Sequence, residues 1–293
     1  MDEISQYLDI PYTSFANPAS AQSFDIVVPQ NNSISLTDVQ HHEATPPLIC
    51  FVHGGAWRRE DKSDHLGLAH ALANFTHFPV AVPNYRLSPM EATKEKHLHH
   101  PEHAKDILSF LEFLREWEGP RRGAPLPYDP TKLFLMGHSC GAHILACIFF
   151  DMPGDQLVPS DWLSQSTKAI IASEGIYDID FLLVKHPTYR SWFIEQAFGP
   201  RTSYEEVSPS KADLRTTSQH LQWLIIHSKN DQYLDADESK IMYDHLVKQY
   251  GDRAAKAVSK NMDDLHHEHN GMLEESKLFV TIVGNYMFRI TSE

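Results

Sequence analysis

The sequence predicts an α/β fold: a mostly parallel central sheet with helices on both faces and a small cap. Three observations carry that expectation. Short apolar runs alternate with helix-patterned stretches from Leu48 onward. The runs are apolar at nearly every position, as strands covered on both faces must be. One internal segment, 178–219, breaks the alternation.

In chain order, residues 1–45 read as an N-terminal extension with one edge strand, Phe24 to Val28. Buried strands are expected at Leu48 to Val52 and Val80 to Tyr85. A helix is expected over 101–118, because Ala104, Ile107, Leu108, Leu111, Leu114 and Trp117 recur at spacings of three and four; Pro101 suits its first turn. Further strands fall at Lys132 to Met136, Ala169 to Ala172 and Leu221 to Ile226. The segment 178–219 mixes Tyr189, Trp192, Phe193 and Phe198 with Pro187, Pro200 and Pro209, and is read as a cap inserted over the strand ends. Ile241, Tyr243, His245, Leu246 and Tyr250 pattern a helix over 236–250 that Gly251 stops, and a last helix is expected over 272–288. Without repeats or low-complexity tracts, 1–293 reads as a single domain.

Composition narrows the function. With 42% apolar residues in 293, the chain can bury a core that offsets its ordering entropy, so disorder is excluded. The 25 Lys+Arg against 39 Asp+Glu give a formal charge of −14. That balance offers no basic footprint for nucleic acid or an anionic membrane. A small-molecule substrate is the expected partner, and a homodimer is left open. Met1 to Ser5 lack the basic and apolar regions of a secretory signal, and no apolar run approaches the roughly 20 residues that span a bilayer. Cys50, Cys140 and Cys147 lie in apolar segments without metal-type spacing, which reads as buried thiols and makes the cytoplasm the expected compartment.

The chemistry gathers at strand ends. Gly137-His138-Ser139-Cys140-Gly141 follows the strand ending at Met136 and precedes a helical apolar stretch. This is the strand-turn-helix context of a G-x-S-x-G nucleophile elbow, in which glycines let neighbouring backbone approach and the serine hydroxyl projects from the strand end. His53-Gly54-Gly55-Ala56-Trp57 closes an earlier strand. Such a turn aims backbone N–H groups of Gly54, Gly55 and Ala56 above the sheet, where with the N–H of Cys140 they can bind an oxyanion. Trp57 is read either as narrowing the acyl side of the site or as a core residue under the cap.

A serine nucleophile needs a base, and the base an orienting carboxylate. Asp231 stands just beyond the strand ending at Ile226; Asp235 and Asp237 are rivals that fit the start of the next helix better. The base is expected from Asp264 to Gly271, where His266, His267 and His269 are candidates and His269 is nearest the last helix. Neither this run nor His97, His99, His100 and His103 reproduces H-E-x-x-H or a Cys/His zinc spacing, so no catalytic metal is expected.

These residues resemble the kynurenine formamidases, or arylformamidases, of the α/β-hydrolase fold, whose mark is an H-G-G-x-W turn combined with a G-x-S-x-G elbow. The fungal members are especially similar around Ser173-Glu174-Gly175-Ile176-Tyr177-Asp178, Leu182-Leu183-Val184, His186-Pro187-x-Tyr189 and the His-Ser-x-x-Asp run ending at Asp231. The likeness covers roughly 45–290 and implies a triad of Ser139, Asp231 and His269, the last followed by Asn270. It also implies hydrolysis of N-formyl-L-kynurenine to L-kynurenine and formate, without a cofactor. Asn84 to Pro89 is shared with hormone-sensitive-lipase-like esterases, so it argues fold and not substrate. Those esterases carry a third glycine where this chain has Ala56-Trp57. A general short-acyl carboxylesterase is therefore the rival expectation, and a non-catalytic ligand-binding module on the same fold ranks last.

Overall fold

The computed structural model describes residues 4–14, 21–29, 45–91, 97–154, 157–275 and 277–292. Its strands are β1 (Ile4–Pro11), β2 (Ser23–Pro29), β3 (Leu48–Val52), β4 (Val80–Pro83), β5 (Leu133–His138), β6 (Thr167–Ser173), β7 (Gln222–Ile226) and β8 (Val258–Asn261). They form one sheet in the order β1-β2-β4-β3-β5-β6-β7-β8. From β4 to β8 every pairing is parallel, whereas β1 and β2 run antiparallel. The N-terminal region thus corrects the expectation of one edge strand. The strand at Phe24 is interior, paired on both sides, and the edge is β1, whose half-exposed pattern gave no apolar run to read.

The helices are α1 (Leu66–Thr76), α2 (Glu102–Phe113), α3 (Cys140–Phe149), α4 (Asp161–Ser166), α5 (Ile179–Lys185), α6 (Glu195–Phe198), α7 (Ala236–Tyr250), α8 (Ala254–Ala257), α9 (Gly271–Glu275) and α10 (Lys277–Thr291). Strand alternation sorts them into two layers. Leu48, Cys50 and Val52 of β3 join a core with α2, α3 and α7, while Ile49 and Phe51 join one with α1 and α10. The helix expected over 101–118 ends at Phe113, with Pro101 in the cap position ahead of it. Leu114 and Trp117 stay buried in the turns that follow, and Gly119 (φ 91°) and Pro120 prevent continuation. The C-terminal region holds two helices instead of one over 272–288; residue 276, between them, lies outside the described residues.

The edge strand is pinned by charge. Buried Lys62 Nζ lies 2.7 Å from Asp9 Oδ1 and 2.8 Å from Asp25 Oδ1, bracketing β1 and β2 together. Residues 178–219 contain α5, a π-helical turn at Arg190–Ile194, α6 and three short 3-10 turns. Their aromatic side chains pack toward the turn after β3: Phe193 and Phe198 contact Trp57 with ring centroids 6.2 and 4.9 Å apart.

Candidate active site

Ser139 joins β5 to α3 in a conformation (φ 54°, ψ −124°) that side-chain-bearing residues rarely adopt. Two glycines permit it. A Cβ on Gly137 would lie 2.7 Å from the backbone of Gly141 and Ala142, and one on Gly141 would lie 2.2 Å from Val52 O. The elbow is further held by Ser139 N–H donating to Ser173 O at 2.9 Å.

The turn after β3 is equally constrained. Gly55, Ala56 and Trp57 all have positive φ, and the N–H groups of Arg58 and Arg59 close back on Gly55 O at 3.1 and 3.0 Å. The Tyr85 hydroxyl lies 2.9 Å from Gly54 O and 3.1 Å from His53 O, and the Tyr85 ring stacks on His53 at 4.5 Å. Because a trans peptide directs its N–H opposite its carbonyl, the Gly55 N–H turns away from Tyr85. Gly54 passes behind Ser139, where its missing Cβ would meet Ser139 Cβ at 3.0 Å. Trp57 N–H donates to Cys140 Sγ at 3.1 Å, tying this turn to the elbow. Burial pushes the Cys140 thiol up to about 12, so it stays protonated and serves as an acceptor.

Asp231 lies beyond β7, where its Oδ1 accepts the N–H groups of Tyr233 (2.8 Å) and Leu234 (3.0 Å). Its Oδ2 faces His269 Nδ1 at 2.8 Å. Burial opposes ionisation of Asp231, but the His269 contact and these two N–H groups outweigh it and hold the carboxyl below its usual range. His269 is buried, and its backbone N–H donates to Gln232 Oε1 at 2.9 Å. Burial would lower the imidazole's pKa; Asp231 and Glu174 reverse that and raise it.

The rival candidates are engaged elsewhere. Asp235 and Asp237 meet His186 (3.1 Å) and Lys185 (3.2 Å). The His266 carbonyl accepts from Asn230, and the His267 backbone bonds to Ser228 Oγ on both its N–H and carbonyl sides.

Ser139 and His269 open into one cavity of about 200 Å3, whose floor also includes Gly55, Ala56 and Ile176. Tyr189, Trp192, Phe193 and Tyr233, in contact with one another, form an aromatic wall, and Arg58, Arg59, Glu60 and Asn270 add polar groups to the lining. The Tyr189 hydroxyl donates to Tyr233 O at 3.0 Å, and Arg58 bonds to Trp192 O and Gln196, so the aromatic wall is braced from both ends. Glu60 in turn accepts from Asn270 at 3.1 Å and meets His65 at 3.0 Å. Trp57 is fully buried against His143, Phe193 and Phe198 and does not line this cavity; it backs the wall from inside. A larger open groove of about 1010 Å3 runs past Asp151, Arg201, Glu206 and Lys211, but no histidine lines it among the described residues.

Sequence reasoning missed Glu174. It follows β6 directly, at φ 47°, completely buried, with Oε2 2.9 Å from His269 Nδ1. The available signal was a lone acid shortly after the apolar run Ala169 to Ala172. Sets of atoms able to ligate a cation also come from the fold and not from histidine runs: His53 with Glu60 and His65, His100 with His143 and Cys147, and His138 with Glu174 and His269, each within 4.8 Å. No helix among the described residues is long and apolar enough to cross a membrane.

Residues 34–246 match the BD-FAE family. A kynurenine formamidase of Meyerozyma guilliermondii is 29% identical over 216 residues, covering 71% of this chain and 74% of its own. A kynurenine formamidase-like hydrolase of Fusarium equiseti is 26% identical, covering 85% and 84%. Among solved structures, a truncated carbohydrate esterase from gut microbiota superposes with a TM-score of 0.70 at 15% identity, over 99% of this chain and 97% of that one. The fold expected from the apolar strands and the elbow is therefore the α/β-hydrolase fold, and the motif resemblance to fungal kynurenine formamidases extends to whole-chain similarity. The chain belongs to the BD-FAE family and is a hydrolase of the α/β type.

Proposed function

We propose that this protein is an arylformamidase that cleaves N-formyl-L-kynurenine to L-kynurenine and formate through Ser139, His269 and Asp231. The observation that carries the reading is a strained serine and a carboxylate-held imidazole sharing a small cavity with one aromatic wall. Similarity to proteins named kynurenine formamidase supports it independently.

In this mechanism Ser139 Oγ attacks the formyl carbon as His269 Nε2 takes its proton, and Asp231 stabilises the imidazolium and fixes Nδ1–H toward itself. Backbone N–H groups of Gly55, Ala56 and Cys140 stabilise the oxyanion. The imidazolium then protonates the departing arylamine nitrogen, breaking the C–N bond and leaving a formyl ester on Ser139. Water, deprotonated by His269, attacks that ester and releases formate, regenerating the serine. The aromatic wall suits the aryl ring, and exposed Arg59 at the rim suits the substrate's carboxylate.

The deciding experiment incubates purified protein with N-formyl-L-kynurenine and follows kynurenine, in parallel with N-acetyl-kynurenine and a p-nitrophenyl ester. Kynurenine release with a kcat/KM well above the other two is the expected result. Faster ester hydrolysis, or equal rates across the acyl series, assigns the site to a general carboxylesterase. No turnover of any of them leaves a ligand-binding module.

A further inference from the structure

Two carboxylates address one imidazole nitrogen. Asp231 Oδ2 and Glu174 Oε2 lie 2.8 and 2.9 Å from His269 Nδ1, and both side chains are buried. They arrive from the ends of adjacent parallel strands, β7 and β6. The ring N–H points at Asp231; Glu174 Oε2, though as near, lies off that axis and has no hydrogen-bond partner. A buried carboxylate oxygen that receives no hydrogen bond is costly and relies on the adjacent imidazole for compensation. The backbone also adopts a rarely populated conformation to hold it there, with φ 47°, secured by Glu174 N–H to Ile226 O at 2.9 Å and by Ser228 N–H to Oε1 at 3.2 Å.

The remaining neighbours supply no compensating charge. His138, at the end of β5, has Nε2 3.9 Å from Glu174 Oε2, but burial, then the neighbouring His269, keep it neutral, its pKa well below the ordinary value. The titratable groups facing the Glu174–His269 pair are Asp231 and His227 after β7 and His138 on β5; burial holds His227 below its usual range. Burial, and then the repulsion of Asp231, push the Glu174 carboxyl up, partly offset by His269.

We propose that Glu174 is a positioning residue of the triad: it shares protons with His269 and sets the pH at which that imidazole becomes a free base. This rests on the triad reading above. With both carboxylates ionised, the cluster favours imidazolium, which cannot accept the Ser139 proton. If His269 Nε2 loses its proton to solvent while Glu174 takes one up, His269 is neutral with its Nδ1–H on Asp231 and its Nε2 free; because Glu174 Oε2 faces Nδ1, the two protons exchange through solvent and not by direct transfer. The two arrangements hold the same number of protons, so the charge on Glu174 governs how readily Nε2 is freed.

Glu174→Gln, nearly isosteric, removes the charge and the titration. The acid limb of kcat/KM for kynurenine release should move to lower pH by about one unit or more, because the imidazolium loses one of its two stabilising anions. A merely structural residue would lower the rate at every pH and leave the limb in place; an unmoved limb overturns the proposal. In wild-type protein, NMR of the His269 Cε1–H and the Glu174 carboxyl carbon needs neither substrate nor variant. The two signals should titrate in shared steps, with Glu174 well above the ordinary Glu value of about 4.3. Independent titrations at ordinary values overturn the proposal even if Glu174→Gln does not fold. If the wild-type protein releases no kynurenine, the proposed substrate fails, and the NMR titration still decides the role of Glu174.

Discussion

Gly54 and Ser139 are in contact across the site: a Cβ on Gly54 would stand 3.0 Å from Ser139 Cβ and 3.3 Å from His138 O. The close approach presses the turn after β3 against the turn that carries Ser139. Gly54 has no positive φ, so alanine is compatible with its backbone, and the damage of Gly54→Ala falls on the nucleophile. We expect kcat to fall by about 10- to 100-fold from displacement of the serine, with a melting temperature near wild type. Gly141→Ala is the contrast. Its Cβ would lie 2.2 Å from Val52 O, and the expected loss is stability, about 1–3 kcal/mol or more in a denaturation series.

Ser139→Ala should abolish turnover while the protein remains folded. Removing a serine nucleophile costs about 10⁶ in kcat in the subtilisin series, and circular dichroism checks the fold. Retention of more than a few per cent of activity removes Ser139 from the mechanism.

The three neighbouring histidines should separate cleanly. His269→Ala is expected to lower kcat by about 10⁴ or more. His266 is exposed, and the contacts of His266 and His267 given above are made by their backbones, so alanine at either should cost less than about tenfold. A larger loss at His266 or His267 than at His269 would transfer the role of base.

Because Asp231 and Glu174 overcome burial and raise the His269 pKa, the imidazole keeps its proton to higher pH than a free histidine. Protonated His269 cannot act as a base. The rate should therefore climb through an acid limb lying above about pH 6.5, the ordinary His value, and reach its plateau on the alkaline side. A kcat/KM profile whose limb lies below that value contradicts the arrangement.

Substrate contacts should divide between the aromatic and the polar lining residues. Trp192 is 43% exposed at the cavity, so Trp192→Ala should raise KM by about tenfold for any aryl formamide, with little effect on folding. Arg59→Ala should raise KM for N-formylkynurenine and leave that for N-formylaniline, which has no carboxylate, unchanged within about twofold. Equal effects on both substrates would place the carboxylate elsewhere.

Much of this protein was legible in the residues themselves. Runs such as Leu48 to Val52 and Ala169 to Ala172 could only be strands buried on both faces, and a G-x-S-x-G pentapeptide between a strand and a helix could only be a tight turn with an exposed end. These are local properties, set by side-chain period and by glycine conformations within a few residues. Strand ends pointed to Ser139 and Asp231 as candidates, whereas His269 was singled out from His266 and His267 by its nearness to the last helix and by the family resemblance.

What the tertiary structure decided is register and direction. β1 alternates too weakly to announce itself and is a strand because β2 pairs with it. Trp57 was open to two readings from the motif; packing on His143 and Phe198 turned it into the core and away from the cavity. Glu174 carried no signal beyond being an acid at a strand end, because its meeting with His269 depends on β6 and β7 pairing Ser173 with Ile226. Only that alignment, together with the loop that carries His269, brings a second carboxylate to 2.9 Å from the imidazole. A contact between residues 174 and 269 is a property of strand order and register, which local spacing does not encode.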